Sequence, residues 1–126
     1  MATPAKWKIV MVWCSELPRP HDKFCICICP ARNWYLFINS DPPFSRKAKQ
    51  VVLGVASFQL PFLVRDSYID TTILQKTLVP ADLEQAWNDP ARDKGFVPPS
   101  LRLQIKAAAQ SHNVLTADEL SAILND

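Results

Sequence analysis

Apolar residues occur early in this chain as short unbroken runs and later at helical spacing, and the change falls near Pro80. Phe24–Cys29 and Trp34–Ile38 are runs of β-branched, aromatic and cysteine residues, too short for a buried helix and suited to strands buried on both faces. The break between them holds Pro30 and Asn33, which suits a tight reversal. Lys23–Ser40 is therefore expected to form an antiparallel hairpin at the centre of a small sheet. Trp7–Cys14 reads as a first strand, Val51–Val55 and Asp66–Thr72 as later ones, and Ile73–Val79 as a further short candidate. Gly54 inside the Val51–Val55 run is expected to mark a bulge.

Three stretches break this pattern and read as loops: Glu16–Asp22, Asn39–Gln50 and Asn88–Val97. Prolines open or interrupt the first two, where regular structure loses its hydrogen bonds. Beyond Pro80 the spacing turns helical. Pro80 suits the first turn of a helix carrying Asp82, Leu83, Glu84 and Trp87. Pro98-Pro99-Ser100 opens a second, with Leu101, Ile105 and Ala108 on one face. Thr116-Ala-Asp-Glu119 is a capping box, in which hydroxyl and carboxylate satisfy each other's orphan amides; it starts a third helix with an apolar face of Leu120, Ile123 and Leu124. The pattern thus predicts an α+β fold of five to seven antiparallel strands, about residues 6–79, followed by two or three helices, about 80–126. All helices are expected after residue 79. At 126 residues, with neither linker nor internal repeat, the chain is expected to be a single domain.

Composition narrows the chemistry. With only 2 Gly against 11 Pro, no phosphate-cradling glycine loop is available, which sets aside dinucleotide-binding and P-loop readings. The net charge of +2 is small but unevenly placed. Residues 1–70 hold nine Lys/Arg against five Asp/Glu, and residues 71–126 hold five against seven, so any basic face lies on the first half. Three of the four cysteines are spaced C-x-C-x-C at Cys25, Cys27 and Cys29, which puts their sulfurs on one face of a strand and Ile26 and Ile28 on the other. Zinc sites prefer C-x₂-C turns, so these thiols are expected to act as small hydrophobes without metal. No leader pattern precedes the first strand and no apolar run reaches membrane length, which predicts a cytoplasmic protein with reduced thiols and no membrane partner.

The order of elements resembles the MazF/PemK group of bacterial toxin–antitoxin systems, an SH3-like antiparallel barrel closed by C-terminal helices. The residues that carry the resemblance are Asp66-Ser-Tyr-Ile-Asp70 with Leu78-Val-Pro-Ala-Asp-Leu83, similar to the late strand of those toxins and its passage into a helix, and the segment Gly95–Leu124. The resemblance implies a homodimer with a partner antitoxin, cleaving single-stranded RNA without metal or cofactor by attack of the 2′-hydroxyl on the adjacent phosphate. That reaction needs a base, an acid and cations around the phosphorane.

On this reading Asp70 and Asp66 are the candidate bases or orienters, His21 the group that titrates near neutrality, and Arg19 a phosphate holder. Lys23, Arg46, Lys47, Lys49 and Arg65 are the candidate RNA contacts. Each has a plainer role open to it: Asp66 and Asp70 as turn caps, His21 as a solvated side chain, the cations as soluble loop. The competing functional class is a non-catalytic SH3-like module that docks a protein or nucleic acid, with Trp7, Trp13, Trp34 and Tyr35 as candidate aromatic contacts.

Overall fold

The computed structural model describes residues 3–44 and 46–126, apart from the side chains of Lys47 and Ala48. The central runs pair as expected. β2 (His21–Cys29) and β3 (Trp34–Asn39) form an antiparallel hairpin with Ile26 opposite Leu36 and Cys25 opposite Phe37. Its reversal is closed by the Asn33 N–H on the Pro30 carbonyl at 3.4 Å, with Asn33 at φ 55°, a region asparagine tolerates. β1 (Lys8–Cys14) pairs on the other side of β2, and β4 (Leu53–Val55), β5 (Ser67–Ile69) and β6 (Asp93–Phe96) complete the sheet. The strand order is β4-β5-β3-β2-β1-β6, with every pairing antiparallel. The sheet curls into half a barrel whose edge strands, β4 and β6, do not pair with each other.

Both faces of the central strands are buried, which explains their unbroken apolar runs. On one face Ile9, Ile26, Ile28, Leu36 and Ile69 pack under α3 (Pro99–Gln110) and α4 (Ala117–Leu124), which contribute Leu101, Ile105, Ala109 and Ile123. On the other face Val10, Val12, Cys25, Cys27 and Tyr35 are covered by Leu83, Ala86 and Trp87 of α2 (Pro80–Trp87). Apolar side chains on facing elements thus make two cores back to back, with the sheet between them. Burying each large aliphatic residue contributes about 1.5–3 kcal/mol, so the loss of either helical layer would expose a whole row of them.

The segment before β1 is held by burial and polar contacts that offset backbone strain. Trp7 is buried at φ 70°, a conformation that costs a bulky residue about 1–3 kcal/mol. Its N–H reaches the Cys27 carbonyl at 2.7 Å, its carbonyl receives the Val97 N–H at 2.8 Å, and its indole Nε1 donates to Asp126 at 2.8 Å. Lys6 crosses to α4 and donates to the carbonyls of Ala122, Ile123 and Asn125. The expected capping box is present, with Glu119 N–H on Thr116 Oγ1 at 3.2 Å and Thr116 N–H on Glu119 Oε1 at 2.9 Å.

Four local expectations are corrected. A short helix, α1 (Arg46–Val51), and a 3-10 turn at Ser57–Gln59 lie before residue 79, inside the stretch expected to hold no helix. α1 has no apolar stripe to announce it: its six residues are mostly cationic or polar. The polar stretch 88–97 is not all loop, because Asp93–Phe96 pairs with β1 as an edge strand. An edge strand needs no apolar alternation, and here Asp93 pairs with Lys8 at 2.8 Å instead. Residues 73–79 make only an isolated bridge, Gln75 to Tyr35. Gly54 sits in a regular ladder opposite Tyr68, and the bulges fall between Cys27 and Cys29 and between Lys8 and Val10.

Candidate functional site

The bulge in β2 divides the cysteines. Cys14, Cys25 and Cys27 are buried in the core under α2, whereas Cys29 is half-buried beside Lys6 and α4 in a concavity of about 350 Å³. Burial pushes the Cys27 thiol up to about 12 and raises Cys25 strongly, so neither forms a thiolate near neutrality. These side chains serve as packing.

The exposed start of β2 places polar chemistry on the surface. His21 and Lys23 are two residues apart on one strand and therefore share a face. Both contribute to the lining of a concavity of about 300 Å³ together with Leu63, Val64 and Arg65; Phe24, which alternates to the other face of β2, and Phe62 line it as well, their ring centroids 4.6 Å apart. His21 Nδ1 lies 2.6 Å from the Arg19 carbonyl. A carbonyl only accepts, so Nδ1 carries the proton and Nε2 is left as the basic nitrogen. Lys23 donates to Asn39 Oδ1 and lies 5.0 Å over the Phe37 ring; burial is the main cause that lowers its pKa from the ordinary lysine value. Asp22, next along the strand, is tied to Arg92 at 2.8 Å.

Two other concavities adjoin this one in a row. His21, Lys23 and Ser40 also line a second one of about 370 Å³ that reaches Pro43 and Phe44. Pro43 and Phe44 in turn line a third of about 800 Å³, closed by Val51, Asp70, Ile73 and His112. The three adjoin through these common lining residues, and this row of hollows, the trough, has cations at its first member and apolar residues with a carboxylate at its third.

The expected site residues are spread along this trough rather than gathered at one point. His21, Lys23 and Arg65 meet in the first concavity. Asp70 lies in the third, where Oδ1 accepts from the Thr72 N–H at 2.9 Å and from its hydroxyl at 2.5 Å, a turn cap. Asp66 faces a separate hollow by β4 and accepts the Ser57 N–H at 2.8 Å. Arg19 is exposed beside His21, and Arg46 and Lys49 are exposed on α1, which supplies Gln50 and Val51 to the third concavity. The side chain of Lys47 lies outside the described residues.

One polar wall residue went unnoticed in the sequence. His112, just past α3, lies 3.2 Å from Thr71 Oγ1 through Nε2 and accepts the Val114 N–H through Nδ1 at 3.3 Å. Nothing in the local pattern marks it beyond its being one of only 2 His in the chain. Among the described residues, no group of three His, Cys, Asp or Glu side chains has the geometry of a metal site, and no helix is long and apolar enough to cross a membrane. No protein-family model matches this chain, and no curated protein matches it.

Proposed function

We propose that this protein is a MazF/PemK-like toxin, an endoribonuclease acting on single-stranded RNA, with the first concavity as its reaction centre. The observation that carries this reading is that His21, Lys23 and Arg65 line one concavity. The three supply what transphosphorylation needs. His21 Nε2 takes the proton of the 2′-hydroxyl as its oxygen attacks phosphorus. Lys23 gives a proton to the departing 5′-oxygen, and a lysine whose pKa burial has lowered is the stronger acid. Arg65 holds the phosphorane oxygens through its planar fork. The products are a cyclic phosphate and a 5′-hydroxyl. This assignment moves proton transfer from the aspartates to β2, since Asp70 and Asp66 are engaged as caps in other hollows.

The half-barrel supports the SH3-like reading, and a second copy of the chain would cover exposed Phe58 and Val64, in keeping with a homodimer; an antitoxin and a cytoplasmic site complete the proposal. The test is cleavage of unstructured RNA in EDTA. Wild type should yield cyclic phosphate ends, and His21→Gln should slow it by about 10²-fold or more. Binding without cleavage would leave the docking-module reading in place, while neither binding nor cleavage at low salt would sink both.

A further inference from the structure

The apolar end of the trough has a donor–acceptor pattern of its own. Oδ1 of Asp70 is saturated by the Thr72 N–H and hydroxyl, which hold the carboxylate in place. Oδ2 has no hydrogen-bond partner among the described residues, and Asp70 lines the cleft, so its free acceptor capacity lies at the cleft wall. Phe44, Ile73 and Val114 around it are exposed apolar side chains, a costly arrangement for surface that nothing covers. His112 is engaged on both ring nitrogens, with the Val114 N–H on Nδ1 at 3.3 Å and Thr71 Oγ1 3.2 Å from Nε2.

We propose that this cleft is a pocket for a nucleobase bearing an exocyclic amino group, and that Asp70 Oδ2 is the atom that distinguishes such a base from uracil. Adenine, cytosine and guanine each turn an amino N–H toward an acceptor on their pairing edge. Uracil turns two carbonyl oxygens, one on each side of its single N–H, and their lone pairs oppose a carboxylate. The apolar walls suit the faces of a flat ring, which stacks without regard to base identity. The charge around the cleft fits the same occupant. Arg46 is four residues before Gln50 on α1 and so shares its face, an exposed cation on the helix that supplies Gln50 and Val51 to the cleft. Pro43 and Phe44 line both this pocket and the neighbouring concavity of His21 and Lys23, so a strand passing over them would reach both. This inference rests on the single-stranded RNA reading.

The test uses fluorescence anisotropy with 2′-O-methyl hexanucleotides, which bind without being cut: all-uridine, and the same strand with one central adenine, cytosine or guanine. Each amino-bearing base should tighten wild-type binding about tenfold relative to hexauridine. Asp70→Asn keeps an acceptor for Thr72 and should bring that ratio close to one. Phe44 is fully exposed, so Phe44→Ala should fold normally and weaken the binding of every strand. Equal affinity of all four hexamers for wild type would overturn the base pocket alone, as would discrimination that survives in Asp70→Asn or binding unaffected in Phe44→Ala. Failure of every hexamer to bind at low salt would remove the RNA reading and the pocket together.

Discussion

Individual side chains in this protein show their roles through what they are tied to. Asp126 receives the Trp7 indole N–H at 2.8 Å and the Lys106 ammonium at 3.0 Å, and these contacts hold its carboxyl down at about 2. Because the folded value lies below the unfolded carboxylate value of about 3.9, its contribution is fully present above pH 4 or so and is lost as pH falls through about 2. Asp126→Asn should therefore lower the urea midpoint at pH 7, and the gap from wild type should close between pH 4 and pH 2; a gap independent of pH would contradict this. Lys23 works in the opposite region of the scale. If it is the acid of the reaction, the alkaline limb of the rate profile should lie below the ordinary lysine range, since burial lowers its pKa. Lys23→Arg, which stays protonated, should carry that limb upward, and a limb that does not move would place the acid elsewhere.

Elements were legible in the sequence to the extent that they bury a patterned face. β1, β2 and β3 are apolar on both sides because helices cover both, and no other arrangement explains six consecutive apolar residues between Phe24 and Cys29. α4 announced itself through Thr116 and Glu119, whose spacing alone sets the cap. α1 and β6 stayed hidden since neither buries an apolar stripe: one is a cationic surface turn of helix, the other an edge strand held by backbone pairing and the Lys8–Asp93 ion pair. Inside its apolar core α2 is also tied to the sheet by a polar contact, the Trp87 indole N–H on the Tyr35 hydroxyl at 3.0 Å. Trp87→Phe should cost about 1–3 kcal/mol in chemical denaturation, mostly by leaving the buried hydroxyl short of a partner. Adding Tyr35→Phe should recover much of that loss, because removing both polar partners is nearly neutral. Strictly additive losses would show that the hydrogen bond does not couple the helix to the sheet.

At the scale of the molecule, chemistry follows topology more than sequence neighbourhood. The sequence marks Asp66, Asp70 and the basic residues as candidates, yet their grouping depends on which strands are adjacent. β2 and the segment 60–65 are far apart in the chain, yet the fold brings His21, Lys23 and Arg65 to the lining of one concavity. Composition did foretell the sign of that surface: the cations of the trough all come from residues 1–70, where the positive excess lies. RNA lying along the trough would meet cations in two places, Lys23 and Arg65 at one end and Arg46 and Lys49 of α1 at the other. Removing one cation that neutralises a phosphate should reduce the log–log salt slope of binding by about 0.7 on a single strand. Lys23→Gln with Arg65→Gln, and separately Arg46→Gln with Lys49→Gln, should each flatten the slope by one to two such steps. Lys94 provides the control, as its ammonium is turned to the Ala91 carbonyl and it lines none of the three concavities. Lys94→Gln should leave the slope unchanged. A long strand that depends on both pairs follows the whole trough; a weaker slope from the β2 pair alone would confine the RNA to the first concavity, and equal effects from Lys94 would reduce the binding to nonspecific charge.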